Sequence, residues 1–147
     1  MEWFLKTFNE LSIRELYRIL KARNEVFIVE QRCYYLDCDG NDEKAYHLFC
    51  KEDNEIIAYL RILEEGVTFD AVSIGRVMVD KKYRGKGLAK DIMLRAIDVI
   101  HNSLHGTEIK ISAQVYLLDF YQSLGFIKIS DGYLEDGIPH IDMQLTK

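Results

Sequence analysis

The chain has 147 residues, of which 48% are hydrophobic and 29% are charged, the composition of one globular domain of ordinary size. Its net charge of −5 argues against a general nucleic-acid or membrane binder, because such proteins carry an excess of cations. No apolar run approaches the roughly 18 residues of a membrane-spanning helix, and the N-terminus lacks the basic start of a signal peptide. The three cysteines are an odd number, so we expect reduced thiols in a cytoplasmic protein.

The first half of the sequence predicts one helix among several strands. Residues 2–8, EWFLKTF, indicate a short strand. Ser12 and Glu15 form an S-x-x-E capping box, in which each side chain binds a free backbone N–H at the start of a helix. Hydrophobic residues at helical spacing then extend this helix to about residue 27. The polar residues 33–45 predict a loop. Strands are predicted at residues 46–51, 56–63 and 72–79.

The second half predicts two helices and three further strands. A helix is predicted from Leu88 to a glycine stop at Gly106. A strand over residues 108–115 leads into a short helix that Gly125 ends. The last strands are predicted at residues 126–129 and 138–145. This order predicts a mixed α/β sheet with helices on its faces, and the absence of repeats and linkers indicates one domain over residues 1–147.

A basic, glycine-containing turn is the strongest chemical signal in the sequence. Residues 81–90, KKYRGKGLAK, hold five Lys or Arg residues and no acid. Gly85 and Gly87 let the backbone approach a ligand closely, and the turn ends at a helix N-terminus, which attracts anions. The turn therefore predicts a phosphate or pyrophosphate site, with a solvated basic turn as the alternative. Neither the Walker A motif nor the dinucleotide fingerprint fits, since Lys90 stands where the fingerprint needs Gly or Ala.

Two motifs give the sequence a family resemblance. Residues 77–89, VMVDKKYRGKGLA, resemble motif A of the GNAT superfamily of acetyl-CoA-dependent N-acetyltransferases, Q/R-x-x-G-x-G/A, with Lys82 at its first position. Residues 113–126, AQVYLLDFYQSLGF, resemble the family's next motif, which ends in F-Y-x-x-x-G-F. The flanking residues 23–31 and 136–141 are similar to the ElaA and YjcF branch. The resemblance thus covers nearly the whole chain.

The resemblance implies both a fold and an activity. The implied fold is a mixed, mostly antiparallel sheet of about seven strands, with helices on both faces and two parallel strands splayed apart at the CoA site. The implied activity is transfer of an acetyl group from acetyl-CoA to a primary amine of a small molecule or peptide, by direct attack in a ternary complex and without a metal. Neither nucleic acid nor membrane is an expected partner, and a homodimer is compatible with the fold. A non-catalytic acyl-CoA sensor and an acyl-carrier-protein-dependent transferase are the alternatives.

The resemblance also implies roles for individual residues. The end of the strand, Val77, Met78 and Val79, pairs with pantetheine, and the Val79 N–H stabilises the oxyanion. Tyr121 matches the tyrosine that protonates the departing thiolate, and a phenol is protonated at neutral pH. The turn binds the CoA pyrophosphate through Arg84, Gly85, Lys86, Gly87, Leu88 and Ala89.

The general base is less well marked. Many relatives place a glutamate on the strand before the turn, but residues 72–77, VSIGRV, hold no carboxylate. Glu30, His47, His140 and an ordered water chain are the candidates. Imidazole titrates near neutral pH, which suits a base, and we take His140 and Glu30 as the catalytic candidates.

Two further clusters were weighed as sites. Residues 37–43, DCDGNDE, lack the Gly and Glu that a calcium-binding EF-hand loop needs, so we interpret them as a solvated acidic loop. We add the hypothesis that Asp37 and Asp39 attract a cationic amine. The spacing of Cys33, Cys38, His47 and Cys50 is irregular for zinc, so no metal site is predicted.

Overall fold

The computed structural model describes residues 1–147. The protein contains a single sheet of eight strands and three α-helices. The helices are α1 (Ile13–Arg23), α2 (Leu88–Asp98) and α3 (Leu118–Ser123). The strands are β1 (Glu2–Thr7), β2 (Tyr46–Glu52), β3 (Glu55–Leu63), β4 (Val72–Val79), β5 (Glu108–Gln114), β6 (Ile127–Lys128), β7 (Tyr133–Glu135) and β8 (Ile138–Thr146).

The centre of the sheet contains one pair of parallel strands. The strand order is β1-β2-β3-β4-β5-β8-β6, and β7 also pairs with β8. All neighbours are antiparallel except β4 and β5, which pair only at Val72 with Ile109 and at Ser73 with Lys110. The remaining residues of these two strands form no ladder with each other, so a gap opens toward their carboxyl ends. This confirms the predicted mixed sheet with a splayed parallel pair.

Helix α1 begins at the predicted capping box. The Ser12 hydroxyl accepts a hydrogen bond from the Glu15 N–H at 3.0 Å, and the Ser12 N–H donates to Glu15 Oε1 at 2.9 Å. Beyond α1 a π-helical segment, Asn24–Glu30, continues the helix. The helical conformation is lost by Arg32, which has a φ of +53°. The predicted end near residue 27 is therefore three residues early. None of the helices is both long and apolar enough to cross a membrane.

Helices cover both faces of the sheet. On one face, α2 contributes Ile92, Met93 and Ala96 to a core of 19 buried residues. On the other face, α1 contributes Ile19 and Ala22 to a smaller core of seven. Because β3 lies between these two cores, all its residues after Glu55 are buried, and its sequence EIIAYLRIL is a nearly continuous hydrophobic run.

The largest difference from the predicted elements is β7, which the sequence did not indicate. Its three residues are all exposed, so they lack the buried-to-exposed alternation by which strands are recognised. The turn from β7 to β8 nevertheless carries a hairpin signal, Asp136-Gly137, with φ values of +51° and +77°, as a type I′ turn requires. The predicted helix over residues 116–124 is a 3-10 turn, Val115–Leu117, followed by α3.

Candidate active site

The gap between β4 and β5 opens into a cavity of about 890 Å³, a size that suits a small-molecule site. Residues from distant parts of the sequence line it together. Of the residues predicted to act in a site, the cavity is lined by Glu30, Val77, Met78, Val79, Arg84, Ala89, Tyr121 and His140. Gly85, Lys86, Gly87 and Leu88 lie beside it in the same turn as Arg84. The structure thus brings the predicted residues of the two motifs to one place.

A bulge in β4 shapes one wall of the cavity. Tyr59 of β3 pairs with Met78, but Arg61 pairs with Gly75, so β4 has one residue more than β3 in this interval. Arg76 lies within the bulge and has a φ of +52°. This backbone conformation is energetically unfavourable for any residue other than glycine. Bulges bend a strand and redirect the residues that follow, here those that line the cavity.

The pairing of β3 with β4 directs the Val79 N–H into the gap. Antiparallel residue pairs alternate between those that exchange hydrogen bonds and those that do not. The Asp80 N–H donates to Ile57 O at 2.8 Å, so the adjacent pair of Ala58 and Val79 is one without hydrogen bonds. The N–H and C=O of Val79 therefore point away from β3, toward the side where β5 lies. The Val79 carbonyl accepts a hydrogen bond from Arg84 Nε at 3.0 Å.

The turn over residues 84–89, here called the glycine loop, presents unpaired donors. Gly85 and Gly87 have φ values of +79° and +80°, a region that favours glycine. A Cβ atom at either position would meet no atom within 4 Å, so the space beside the loop is open. The backbone N–H groups of residues 84–87 donate to no acceptor in the protein, and α2 starts at Leu88. Free N–H groups leading into a helix N-terminus form an anion site.

The Arg84 side chain braces this loop against the end of the first helical segment. Arg84 Nη1 lies 2.6 Å from Glu30 Oε2, and Nη2 lies 3.0 Å from Glu30 Oε1. This hydrogen-bonded pair raises the pKa of Arg84 above its usual value. Since both carboxylate oxygens of Glu30 accept hydrogen bonds from a cation, Glu30 is poorly placed to take a proton from a substrate. The geometry favours an anchoring role for it.

Tyr121 lies between aromatic side chains at the cavity wall. Its ring packs edge-on against Phe120 and Phe126, with centroid distances of 5.1 and 6.0 Å. Burial raises the pKa of Tyr121 to about 12. The phenol therefore keeps its proton at neutral pH, which is the state that a general acid needs.

The two histidines among the candidate bases are both buried but differ in whether they line the cavity. His47 is fully buried, and its two ring nitrogens contact the Tyr59 hydroxyl at 2.8 Å and Asp42 O at 2.9 Å. Burial also lowers the pKa of His47. His140 Nδ1 lies 2.7 Å from Ile138 O; since a carbonyl only accepts, Nδ1 carries the proton, and in the neutral ring Nε2 keeps its lone pair. His140 lines the cavity, whereas His47 does not.

A set of six side chains that includes His140, here called the polar face, lines part of the cavity. Residues two apart on a strand share one side of a sheet, and the cross-strand pairs are Ser112 with Asp142 and Gln114 with His140. Strand β7 extends this face, since Tyr133 pairs with His140. The polar face consists of Ser112, Gln114, Tyr133, Glu135, His140 and Asp142.

Tyr133 connects the members of the polar face. Its hydroxyl donates to Asp142 Oδ1 at 2.6 Å and is also hydrogen-bonded to the Ser112 hydroxyl. Its ring stacks on His140 at a centroid distance of 6.1 Å. Glu135 Oε2 lies 3.5 Å from His140 Nε2. Apart from His140, these residues were not predicted. Tyr133 and Glu135 lie on β7, which the sequence did not indicate, and Ser112, Gln114 and Asp142 join them only through strand pairing.

The interpretation of residues 37–43 as a solvated acidic loop is wrong for Asp42, which is buried, and incomplete for Asp37 and the exposed Asp39, because all three aspartates form ion pairs. Each of them neutralises a buried or half-buried arginine of the sheet or of α1. The ion pairs include Arg23 Nη1 to Asp42 at 2.7 Å, Arg61 Nη2 to Asp39 at 2.6 Å and Arg76 Nε to Asp37 at 2.9 Å. Burial alone would raise the pKa of Asp42, but Arg23 and Arg61 bring it below its usual value. With these charges compensated, the hypothesis that Asp37 and Asp39 attract an amine loses its physical basis.

The same ion pairs position the bulge. Arg76 Nη2 donates to Asp37 O at 3.0 Å, and the guanidinium lies over the ring of Tyr35 at 5.6 Å. The loop therefore fixes the strained residue of β4 from outside the sheet. No group of three or more His, Cys, Asp or Glu side chains is arranged to hold a metal ion, and all three cysteines are free thiols.

Known proteins resemble this chain over almost its full length. A family model described as acetyltransferase (GNAT) domain matches residues 9–147. Protein ElaA of Escherichia coli is 38% identical over 145 residues, which are 97% of this chain and 95% of ElaA. A UPF0039 protein of Schizosaccharomyces pombe is 40% identical over 147 residues, 99% of this chain and 97% of that protein.

Solved structures give the same result. An acyl-CoA N-acyltransferase from Pseudomonas aeruginosa has a TM-score of 0.93 and 37% identity, covering 99% of this chain and 100% of that chain. The structure of Escherichia coli ElaA has a TM-score of 0.91, with 99% of each chain covered. The similarity therefore extends over the glycine loop, the cavity and the polar face alike.

Proposed function

The chain belongs to the acetyltransferase (GNAT) domain family, and from this premise we propose that it transfers an acetyl group from acetyl-CoA to a primary amine. One observation carries the proposal: the unpaired N–H groups of the glycine loop lie beside a cavity that Arg84, Val79, Tyr121 and His140 line together. An anion site and an acid–base pair around one gap suit a negatively charged acyl donor and an amine acceptor.

The glycine loop is the part that fits the CoA pyrophosphate. Its four consecutive N–H groups can each donate to a phosphate oxygen, and the N-terminus of α2 adds a favourable dipole. Lys86 adds positive charge beside the loop, where its ammonium lies 5.6 Å from the centre of the Tyr83 ring. Arg84 contributes mainly through its backbone, because its side chain is bound to Glu30 and Val79.

The reaction requires bond formation, bond cleavage and the movement of protons. Acyl-CoA supplies a thioester: the amine nitrogen bonds to its acyl carbon, the carbon–sulfur bond breaks, and CoA leaves as a thiol. The Val79 N–H donates to the acyl oxygen as that oxygen gains negative charge. Tyr121 gives its proton to the sulfur and regains one from the amide nitrogen or solvent. The protein also holds both substrates in a reactive orientation.

His140 takes the proton that an ammonium group must lose before its nitrogen can attack. Its Nδ1 is fixed by Ile138 O, so Nε2 is the basic atom and belongs to the cavity wall. Once protonated, Nε2 can donate to Glu135 Oε2, now 3.5 Å away, and more than half of the Glu135 side chain is exposed. The proton thus has a path from the acceptor to solvent. This arrangement favours His140 over Glu30 as the base.

The test is acetyl-CoA-dependent release of CoA thiol in the presence of a panel of primary amines, with the acetylated product identified by mass spectrometry. We expect turnover that needs both substrates. A folded protein that binds acetyl-CoA but acetylates no amine would contradict the proposal and favour the sensor alternative. Since binding alone needs no acid at Tyr121, the presence of this tyrosine favours an enzyme.

A further inference from the structure

The cavity has residues of opposite charge in and beside its wall. Residues 81–90, which include the glycine loop, hold five Lys or Arg residues and no acid. The lining also includes three acidic residues, Glu135, Asp136 and Asp142. Charges of one sign around a cleft concentrate ligands of the other sign within it. The glycine loop suits an anionic donor, and the three carboxylates suit a cation.

No cation of the cavity wall compensates these three carboxylates. The arginines that line the cavity are Arg61, Arg76 and Arg84. They are engaged elsewhere, with Asp39, Asp37 and Glu30 respectively. Lys110, on the same strand as Ser112, binds Asp70 with its Nζ 2.5 Å from Oδ1. Glu135 and Asp136 therefore form no ion pair with a lysine or arginine, and Asp142 interacts only with the more distant charge of Lys110, whose ammonium binds Asp70 directly.

The polar face also holds two groups that are oriented but incompletely bonded. The His140 side chain is 9% exposed, and its Nε2 forms no hydrogen bond within the protein. The Tyr133 hydroxyl donates to Asp142 Oδ1, which fixes this carboxylate and leaves Oδ2 without a side-chain donor. A buried base and an oriented carboxylate on one face point to a ligand with two polar nitrogens.

We infer that the acceptor is an aliphatic diamine or polyamine, whose distal ammonium binds Asp142 while its reacting nitrogen lies at His140. This inference rests on the proposed function. His140 and Asp142 are two residues apart on β8, about 7 Å along the strand, which suits nitrogens separated by roughly four methylene groups.

The carboxylates suit an acceptor with two positive charges better than an acceptor with one. The reacting nitrogen must lose its charge before it attacks, so its attraction to the acids disappears during the reaction. A distal ammonium keeps its charge throughout and holds the acceptor in place. The stacked rings of Tyr133 and His140 provide an apolar surface for the methylene chain between the two nitrogens.

The test compares three acceptors of similar length: butane-1,4-diamine, butylamine and 4-aminobutanoate. With acetyl-CoA, we expect kcat/KM for the diamine to exceed that for butylamine by at least about tenfold, and 4-aminobutanoate to be the poorest acceptor. The substitution Asp142→Asn should reduce the diamine preference to about threefold or less, because asparagine retains the contact with Tyr133 but not the charge. Glu135→Gln should act in the same direction.

The control is Asp131→Asn, which removes an exposed acid outside the cavity and should preserve the preference. The inference would be overturned if butylamine were acetylated as well as the diamine. It would also be overturned if the diamine preference were unchanged in both Asp142→Asn and Glu135→Gln. Either result would leave acetyl transfer intact. Calorimetric titration of butane-1,4-diamine into the CoA-saturated protein tests the site without turnover. If the diamine binds and the substitution Asp142→Asn weakens this binding, the inference is supported. If the diamine does not bind, the inference is overturned. Failure of acetyl-CoA itself to bind would instead contradict the proposed function.

Discussion

The glycine loop and the polar face belong to one cavity but are specified in different ways. The loop is continuous in sequence, and its donors are backbone N–H groups that two left-handed glycines expose. The polar face combines side chains of β5, β7 and β8 that come together only through strand pairing. A site made from backbone can therefore be recognised in a short motif, whereas a site made from paired strands requires the tertiary structure.

The glycine loop and the polar face also tolerate substitution differently. A side chain in the loop interferes with the backbone donors themselves, while a polar-face substitution removes one group from a surface that otherwise persists. We expect the largest effects at the loop, intermediate effects at the acid and base, and the smallest effects where a charge only stabilises the fold.

The largest effect is expected for Gly87→Glu. Gly87 has a φ of +80°, so the substitution strains the loop and also places a negative charge where phosphate would bind. We expect the Kd for acetyl-CoA to rise more than about a hundredfold, measured by calorimetry. Gly66→Glu is the matched control, since Gly66 also has a positive φ, +91°, with open space around it. Equal affinities for acetyl-CoA in the two variants would mean that the glycine loop is not part of the binding site.

Tyr121→Phe tests the proposed general acid in the cavity wall. Because phenylalanine keeps the packing against Phe120 and Phe126 but has no proton to give, we expect kcat to fall by about a hundredfold. The Kd for acetyl-CoA should change little. Steady-state kinetics of thiol release measure the effect, with the exposed Tyr17→Phe as control. An unchanged kcat would assign proton donation to another group.

His140→Gln tests the base on the polar face. Because glutamine cannot take a proton from the acceptor ammonium, we expect kcat/KM for the amine to be about tenfold lower in the variant than in the wild type at pH 8. Steady-state kinetics of thiol release measure the effect, with the exposed His105→Gln as control. A kcat/KM equal to that of the wild type would exclude His140 as the base.

The smallest effect is expected at the capping box of α1. Like the glycine loop, it is formed by residues close together in the sequence, but it binds no ligand. Burial would raise the pKa of Glu15, but the Ser12 N–H, Lys6 and Lys51 lower it to about 2. A depressed carboxyl pKa stabilises the fold above the unfolded value of 4.5 and stops doing so as pH falls toward 2. Glu15→Gln should therefore cost about 1–2 kcal/mol at pH 7 and almost nothing near pH 2.

Denaturant unfolding at the two pH values measures this difference. Glu43→Gln, which changes an exposed acid, is the control. A stability difference that stays constant with pH would mean that the charge of Glu15 is unimportant and that only its hydrogen bonds stabilise the helix start.

The contrast between the two regions explains what the sequence could and could not predict. Local patterns predicted the Ser12 capping box and the strand over residues 72–79. The acidic segment was misinterpreted, because nothing nearby in sequence reveals that Asp37 and Asp42 meet Arg23 and two arginines of the sheet. Strand β7 is short and exposed, so it carries no hydrophobic pattern. Only its Asp136-Gly137 turn signals the hairpin that completes the polar face.

The central claim, that the cavity is an acetyl-CoA site entered from the glycine loop, is tested most directly by calorimetric titration of the purified protein with acetyl-CoA. ATP and NAD serve as controls, because they share phosphate groups with CoA but lack its pantetheine arm. We expect saturable binding of acetyl-CoA with one site per chain, and much weaker binding of both controls. A protein that is folded by circular dichroism but binds acetyl-CoA no better than ATP would contradict it.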